Sequence, residues 1–215
     1  MIADRLAARV RSDGGTPLLV DYDLEAPSRV ELSARTFANW VDKTVHFLDA
    51  QGLIPGDPVA LPVLDRHAGH WVSLVWAFAV WQFGSDIVAE DQAELVVVGP
   101  GDLSPRPVTT VACSLHPLGL GFETLDPALV DYREVLAEPD SHVAYPGSAH
   151  TVEGADMSLI PSSRERRLLL APPHGAARAL RALVGVLDGG CLVLVKGGTS
   201  GDWSGIARDE LAHVG

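Results

Sequence analysis

Between Arg29 and Val63 the spacing of apolar residues changes from two to about four and back again. Val30-Glu31-Leu32 alternates as a strand with one covered face does. Then Phe37, Trp40, Val41, Thr44, Val45 and Leu48 recur along one face of a helix, while Asp42, Lys43, His46 and Asp49 fall largely on the others. Ser33 stands where its hydroxyl can accept from the free amides of the first turn, and Gly52 where a left-handed residue closes the last one. Pro55-Gly56-Asp57 is a turn, and Pro58 to Leu61 reads as a buried strand. The stretch predicts a βαβ-type entry into an α/β domain.

The rest of the chain continues that rhythm. Residues 1–12 read as a short amphipathic helix (Ile2, Leu6, Val10) ended by Asp13-Gly14-Gly15, and Pro17 to Tyr22 as a strand followed by a turn, 23–28, that leads to Val30-Glu31-Leu32. His67 to Phe83 is apolar almost all round, which predicts a helix covered on most sides and stopped by Gly84. Asp86 to Val88 and Leu95 to Val98 are short apolar runs of the kind found in parallel sheets. A strand-like Val108–Cys113 and a helix over Leu129–Glu138 follow, then a long irregular segment, 139–163. The last third predicts a strand at Arg167–Ala171, a helix at Ala176–Leu187 stopped by Gly189-Gly190, a strand at Cys191–Val195 and a helix over Trp203–His213. The alternation implies a single α/β domain over residues 1–215, its mostly parallel sheet flanked by helices and joined by right-handed crossovers.

One stretch also carries a family resemblance. "ELS…TFANWVDKTVHFLDAQGLIPGDPVAL", followed by an apolar helix and "FGSDIV", resembles the start of the adenylate-forming superfamily, the AMP-dependent synthetases that include acyl-CoA synthetases, peptide-synthetase adenylation domains and luciferases. The Gly-x-x-Pro-Gly-Asp turn at Gly52–Asp57 is its clearest element. The resemblance covers about residues 17–98 and, more loosely, 165–212, and is most similar to short, truncated relatives of these enzymes. It implies part of their N-terminal domain.

Composition narrows the partners. The 215 residues are 47% hydrophobic and 20% charged, with a formal net charge of −12. That balance disfavours nucleic acid and anionic membrane surfaces, both of which need a basic footprint. The most apolar segment, Trp71 to Trp81, is too short to span a bilayer, and the charged first residues contain no signal core. Cys113 and Cys191 lie far apart in apolar runs, with no Cys-x-x-Cys spacing, which predicts buried, reduced thiols in a cytoplasmic protein. Lys43 and Lys196 are the only lysines.

That scarcity bears on chemistry. The resemblance implies a Thr/Ser/Gly-rich phosphate loop ending in Gly-x-Pro-Lys between residues 99 and 165, an acidic magnesium ligand and a lysine on a separate C-terminal domain. Tyr145 to Thr151 offers small residues but no lysine, and Gly197 to Gly201 follows the wrong strand and reads as a flexible turn. Neither fits the nucleotide-binding P-loop. With the sequence given ending at Gly215, the second domain is expected to be missing as well. Losing one preorganised charge-stabilising donor costs on the order of 100- to 1000-fold in rate. No catalytic residue and no cofactor are therefore expected, and ATP, AMP or CoA enter by resemblance only.

The sequence contains no Gly-x-Ser-x-Gly elbow and no His-Glu-x-x-His helix. His67 and His70, three apart on the expected helix, lack a third ligand, so no metal is expected. In "LLLAPPHGAARAL", His174 follows a strand and opens a helix, where α/β proteins place ligands. With Pro173 and Gly175 it is the candidate ligand-binding set, resembling the Pro-x-x-His-x-x-Gly segment of the acyl pocket. Arg164, Arg166 and Arg167 read as a solvated face with Glu165, and Trp71, Trp76 and Trp81 as core. The functional expectation is a degenerate synthetase-like binding or interaction module that self-associates or meets a protein partner. The alternatives are an acyl- or adenosine-binding protein and a residual ligase acting with a partner.

Overall fold

The computed structural model describes residues 2–215. In chain order its elements are α1 (Ile2–Asp13), β1 (Pro17–Asp23), β2 (Ser28–Ser33), α2 (Ala34–Ala50), β3 (Val59–Ala60), α3 (Pro62–His67), α4 (Trp71–Gln82), β4 (Leu95–Val98), β5 (Thr109–Ala112) and β6 (Val130–Asp131). There follow β7 (Thr151–Val152), β8 (Ala155–Asp156), β9 (Arg167–Leu170), α5 (Ala176–Val186), β10 (Cys191–Lys196), α6 (Ser200–Asp209) and β11 (His213–Val214). The first of the residues expected in α1 lies outside the described residues.

Two sheets carry the architecture. One has the order β11-β9-β10-β1-β2, parallel except for β2; the other has the order β3-β4-β5-β6, parallel throughout. β7 and β8 form a separate two-stranded ribbon. The strands that are buried on both faces are apolar runs, Leu95–Val98 and Cys191–Val195, because helices or the other sheet cover each side.

Two sheets change the reading of the Arg29–Val63 stretch. β2 hairpins onto β1, whereas β3 belongs to the second sheet, so α2 passes between sheets and closes no βαβ unit. A local pattern specifies the elements but not their pairing partners, and here the partners of β3 are β4 and the bridge at Ile87. Its ends were legible: the Ser33 hydroxyl accepts from Thr36 N at 3.1 Å, and Gly52 takes a positive φ of 89°.

The apolar faces of α2 and α4 pack together between the sheets. Phe37 meets Phe78 edge-on at 5.3 Å, Trp40 meets Trp71 at 5.0 Å and Phe47 meets Trp76 at 6.1 Å. All three tryptophans of α4 are buried, each side chain contributing roughly 1.5–3 kcal/mol through burial alone. One cluster of buried side chains includes Leu19 and Leu192 from one sheet and Leu95 and Val111 from the other.

Several expected elements differ. The covered helix begins at Trp71, because His70 is its N-cap and Pro62–His67 is a short helix of its own. Asp86–Val88 contributes only an isolated bridge, Ile87 to Val59. Leu129–Glu138 holds the edge strand β6 and a 3₁₀ turn, Tyr132–Ala137, in place of an α-helix. The side-chain oxygen of Asp131 accepts from Arg133 N and starts that tighter turn. The last helix is shifted to Ser200–Asp209, and its capping box joins Thr199 to Asp202; β11 occupies the residues beyond it. Arg167 is half-buried and pairs with Glu210, not with Glu165. The irregular segment 139–163 contains β7, β8 and a 3₁₀ turn at Met157–Leu159.

The first part of that segment is strapped to α2 and the end of α4. His46 Nε2 lies 2.9 Å from Ser141 O, Lys43 Nζ donates to Glu138 O, and Gln82 Nε2 donates to Val143 O at 2.8 Å. Asp42, nearly fully buried, accepts from Gln82 Nε2 at 2.7 Å and has His142 Nδ1 at 2.9 Å.

Candidate functional site

Parallel strands in both sheets end on one cleft of about 400 Å³. β1 supplies Asp21 and Asp23 and β10 supplies Lys196; the residues after β4, β5 and β9 supply Pro100, Ser114 with Leu115, and His174. The floor is the α3–α4 turn, from Arg66 to Trp71. The crevice outside the carboxyl ends of parallel strands is where α/β sheets bind ligands, since loops there can vary without disturbing the ladder.

Asp21 is the least expected residue in it. Strand alternation puts its side chain on the same face as Leu19, inside the apolar interior, and only 6% of the residue is exposed. Asp21 Oδ2 accepts from Trp71 N at 3.0 Å, satisfying a free amide at the start of α4. Among the described residues no donor is directed at Asp21 Oδ1. Burial raises its pKa from 3.8 to about 7, against the opposing effects of the Trp71 amide and Lys196. An acidic residue within "PLLVDYD" is the sequence signal that could have found it.

The cations of the cleft are committed elsewhere. Lys196 Nζ is 2.9 Å from Asp23 Oδ2 and 3.7 Å from Glu25 Oε2, and Arg66 is 2.9 Å from Asp102. The histidines are held neutral. Burial lowers His70 to about 4, and its Nδ1 accepts from Val72 N at 3.2 Å as the cap of α4. Burial likewise lowers His67 and His174. His67 Nε2 donates to Pro100 O at 3.1 Å, and His174 Nε2 donates to Val195 O at 2.7 Å. His174 Nδ1 is thereby left as a bare acceptor, buried without a partner.

Of the three candidate ligand-binding residues, only His174 lines the cleft. Pro173 is exposed and its carbonyl is taken by Arg178 at 2.9 Å; Gly175 is the N-cap of α5. His67 and His70 both reach the cleft, but His67 ends α3 and His70 caps α4, so they do not share one helical face. Gly69 between them was not singled out by sequence, yet a methyl group there would stand 2.2 Å from His174 Cδ2. Among the described residues no three His, Cys, Asp or Glu side chains gather as a metal site.

The two glycine-containing loops weighed as phosphate cradles are each filled by a carboxylate of the chain itself. Ala149 N and the Ser148 hydroxyl donate to Asp86 Oδ1, at 2.7 and 3.3 Å. Thr199 N and its hydroxyl both donate to Asp202 Oδ2 at 2.8 Å. Backbone amides that would face a phosphate are thus already bonded to an anion.

The architecture recurs in solved enzymes. An acyl-CoA synthetase from Brucella canis superposes with a TM-score of 0.70 over 99% of this chain at 16% identity. An anthranilate CoA ligase bound to anthranoyl-AMP gives 0.67 over 96% at 14% identity, and the amide bond synthetase McbA from Marinactinospora thermotolerans 0.64 over 99% at 18%. The chain has the adenylate-forming fold. It spans 46–48% of the length of these enzymes, and at such identities the likeness is one of fold alone. By sequence, a curated Mycobacterium tuberculosis protein described as "TIGR03089 family protein" is 32% identical over 94 residues, 43% of this chain and 37% of that one. No protein-family model matches the sequence. The adenylate-forming fold here includes no helix, among the described residues, long and apolar enough to cross a membrane.

Proposed function

We propose that this chain is a small-molecule-binding module on the adenylate-forming scaffold, and that it does not itself activate carboxylates. The observation that carries the reading is the cleft of about 400 Å³ at the strand ends, lined by a carboxyl group that is almost wholly removed from water. Burying an ionisable group is unfavourable, and retaining one beside an open cleft is typical of binding sites. The cleft also has an apolar wall, from Val30, Trp71, Leu115 and Pro117, of the kind that holds a ligand body. Against adenylation stand the carboxylates that occupy both glycine-containing loops and the absence of any uncommitted cation in the cleft among the described residues.

A fragment screen by ligand-observed NMR tests the reading. Ala26 is exposed at the rim of the cleft, so Ala26→Trp plugs it without entering the core. Saturable hits that vanish in Ala26→Trp, together with no carboxylate-dependent pyrophosphate exchange, are the expected result. Hits indifferent to the plug, or pyrophosphate exchange above background, would overturn it.

A second reading, self-association or a protein partner, is favoured by the two outer strands of the larger sheet. Among the described residues β2 and the short β11 have no partner strand on their outer sides, and Leu211 just before β11 and Val214 within it are exposed. Light scattering across a concentration series reports on it directly.

A further inference from the structure

We infer that the cleft selects an organic cation, an amine with an apolar body, whose ammonium group is received by Asp21 Oδ1. The inference rests on the reading of the cleft as a binding site and names the class of ligand.

A carboxylate or phosphate ligand is held best by a free cation, and both cations of the cleft are already paired with carboxylates of the chain. Lys196 is drawn to Asp23 and Glu25, and Arg66 to Asp102. The Nε2 donors of His67 and His174 are given to Pro100 and Val195. The Trp71 amide is given to Asp21 Oδ2, and the Trp71 indole donates to Pro117 O at 3.2 Å.

His174 Nδ1 and Asp21 Oδ1 stand in the cleft without a donor among the described residues, and only the second belongs to a group that can carry negative charge. Asp21 is 94% buried, and no donor among the described residues reaches that oxygen. Among the described residues Lys196 is a cation that the β1–β10 pairing brings near it, but the ladder sets Asp21 opposite Leu194 and Asp23 opposite Lys196. A buried carboxyl without a counter-ion is stabilised by any cation that can enter, whereas an anion beside it is repelled. The apolar wall of Trp71, Val30, Leu115 and Pro117 suits a hydrocarbon or aromatic body.

Ionisation sets how the interaction depends on pH. The charged or titratable groups sharing the cleft with Asp21 are Asp23, Lys196, Arg66, His67, His70 and His174. Burial holds the three histidines below their usual range, so Asp21, raised to about 7, is the group whose charge changes near neutrality. Affinity for an ammonium ion therefore rises as pH increases towards and just past 7 and levels off above it.

Isothermal titration with a matched pair of probes, phenethylamine and hydrocinnamate, tests the inference just above neutral pH. Saturable binding of the amine, with no binding of the carboxylate, is expected. Asp21→Asn keeps an acceptor for the Trp71 amide but removes the charge, and should weaken the amine by at least about tenfold. Near-ultraviolet dichroism from the five tryptophans shows whether that variant keeps its packing. Lys196→Met, remote from the core, should tighten the amine. Hydrocinnamate binding as well as the amine, or amine affinity unchanged in a folded Asp21→Asn, overturns the ligand class while leaving the cleft a binding site. If phenethylamine does not bind at all the inference falls, and the fragment screen with the Ala26→Trp plug decides separately whether the broader reading falls too.

Discussion

Lys196 stands directly opposite Asp23 in the β1–β10 ladder, and its ammonium nitrogen lies 2.9 Å from Asp23 Oδ2. A two-residue offset thus decides which of two neighbouring acids is neutralised. Asp23, near the surface, holds its proton less tightly than usual, although burial opposes this and backbone amides and Lys196 bring it about. Asp21, inside, moves the other way. One strand end carries both, and their separation gives the cleft its character.

Removing the ammonium should therefore alter binding more than folding. The Lys196 side chain is 46% exposed, and a solvated pair of this kind contributes only about 0–1 kcal/mol. Lys196→Met is expected to leave the denaturation midpoint nearly unchanged in urea while titration shows tighter amine binding.

Asp21 should leave a signature in the dependence of stability on pH. Its folded-state pKa is raised, so the native state holds the proton more tightly than the unfolded chain. The stabilisation of the protonated form is complete below the ordinary value of 3.8 and is lost as pH rises through about 7. Across that window the contribution falls by at most about 4 kcal/mol. Asp21→Asn should flatten the slope of unfolding free energy against pH over this range, measured by denaturant titration; an unchanged slope would place the titration elsewhere.

Gly69→Ala tests how closely the α3–α4 turn approaches His174. The added methyl would meet the imidazole at 2.2 Å, so the ring must swing away from Val195 O. Altered His174 nitrogen shifts in NMR and weakened cleft binding are expected, with α4 and its tryptophans otherwise undisturbed.

Gln82→Leu acts at the far end of α4. Its amide donates both to buried Asp42 and to Val143 O, so the change deprives a buried carboxylate of a donor and releases the strap at residue 143. A loss of about 2–3 kcal/mol is expected in chemical denaturation, accompanied by faster proteolysis within 139–150.

The sequence was most informative where chemistry is local. Ser33 and Gly52 mark the ends of α2 because a cap and a left-handed residue depend on their immediate neighbours. The α4 tryptophans read as core because a helix that is apolar on every side must be enclosed. His174 was found from its place between a strand and a helix, and it does reach the cleft. Pro173 and Gly175, adjacent in sequence, do not line it, since adjacent residues in a turn face different ways. The 3₁₀ turn at Tyr132–Ala137 escaped detection because its apolar spacing does not distinguish it from an α-helix.

By itself, then, the sequence determined the apolar strands and the capped helices, each of which is written in neighbouring residues. Only the tertiary structure decided that β2 and β3 belong to different sheets, and that Asp21 lies buried beside a cleft while Lys196 pairs with Asp23. The pairing of β1 with β10 and the reach of Lys196 are set by contacts between residues more than a hundred positions apart, and even the partners of β3 lie about thirty residues away, beyond any local pattern.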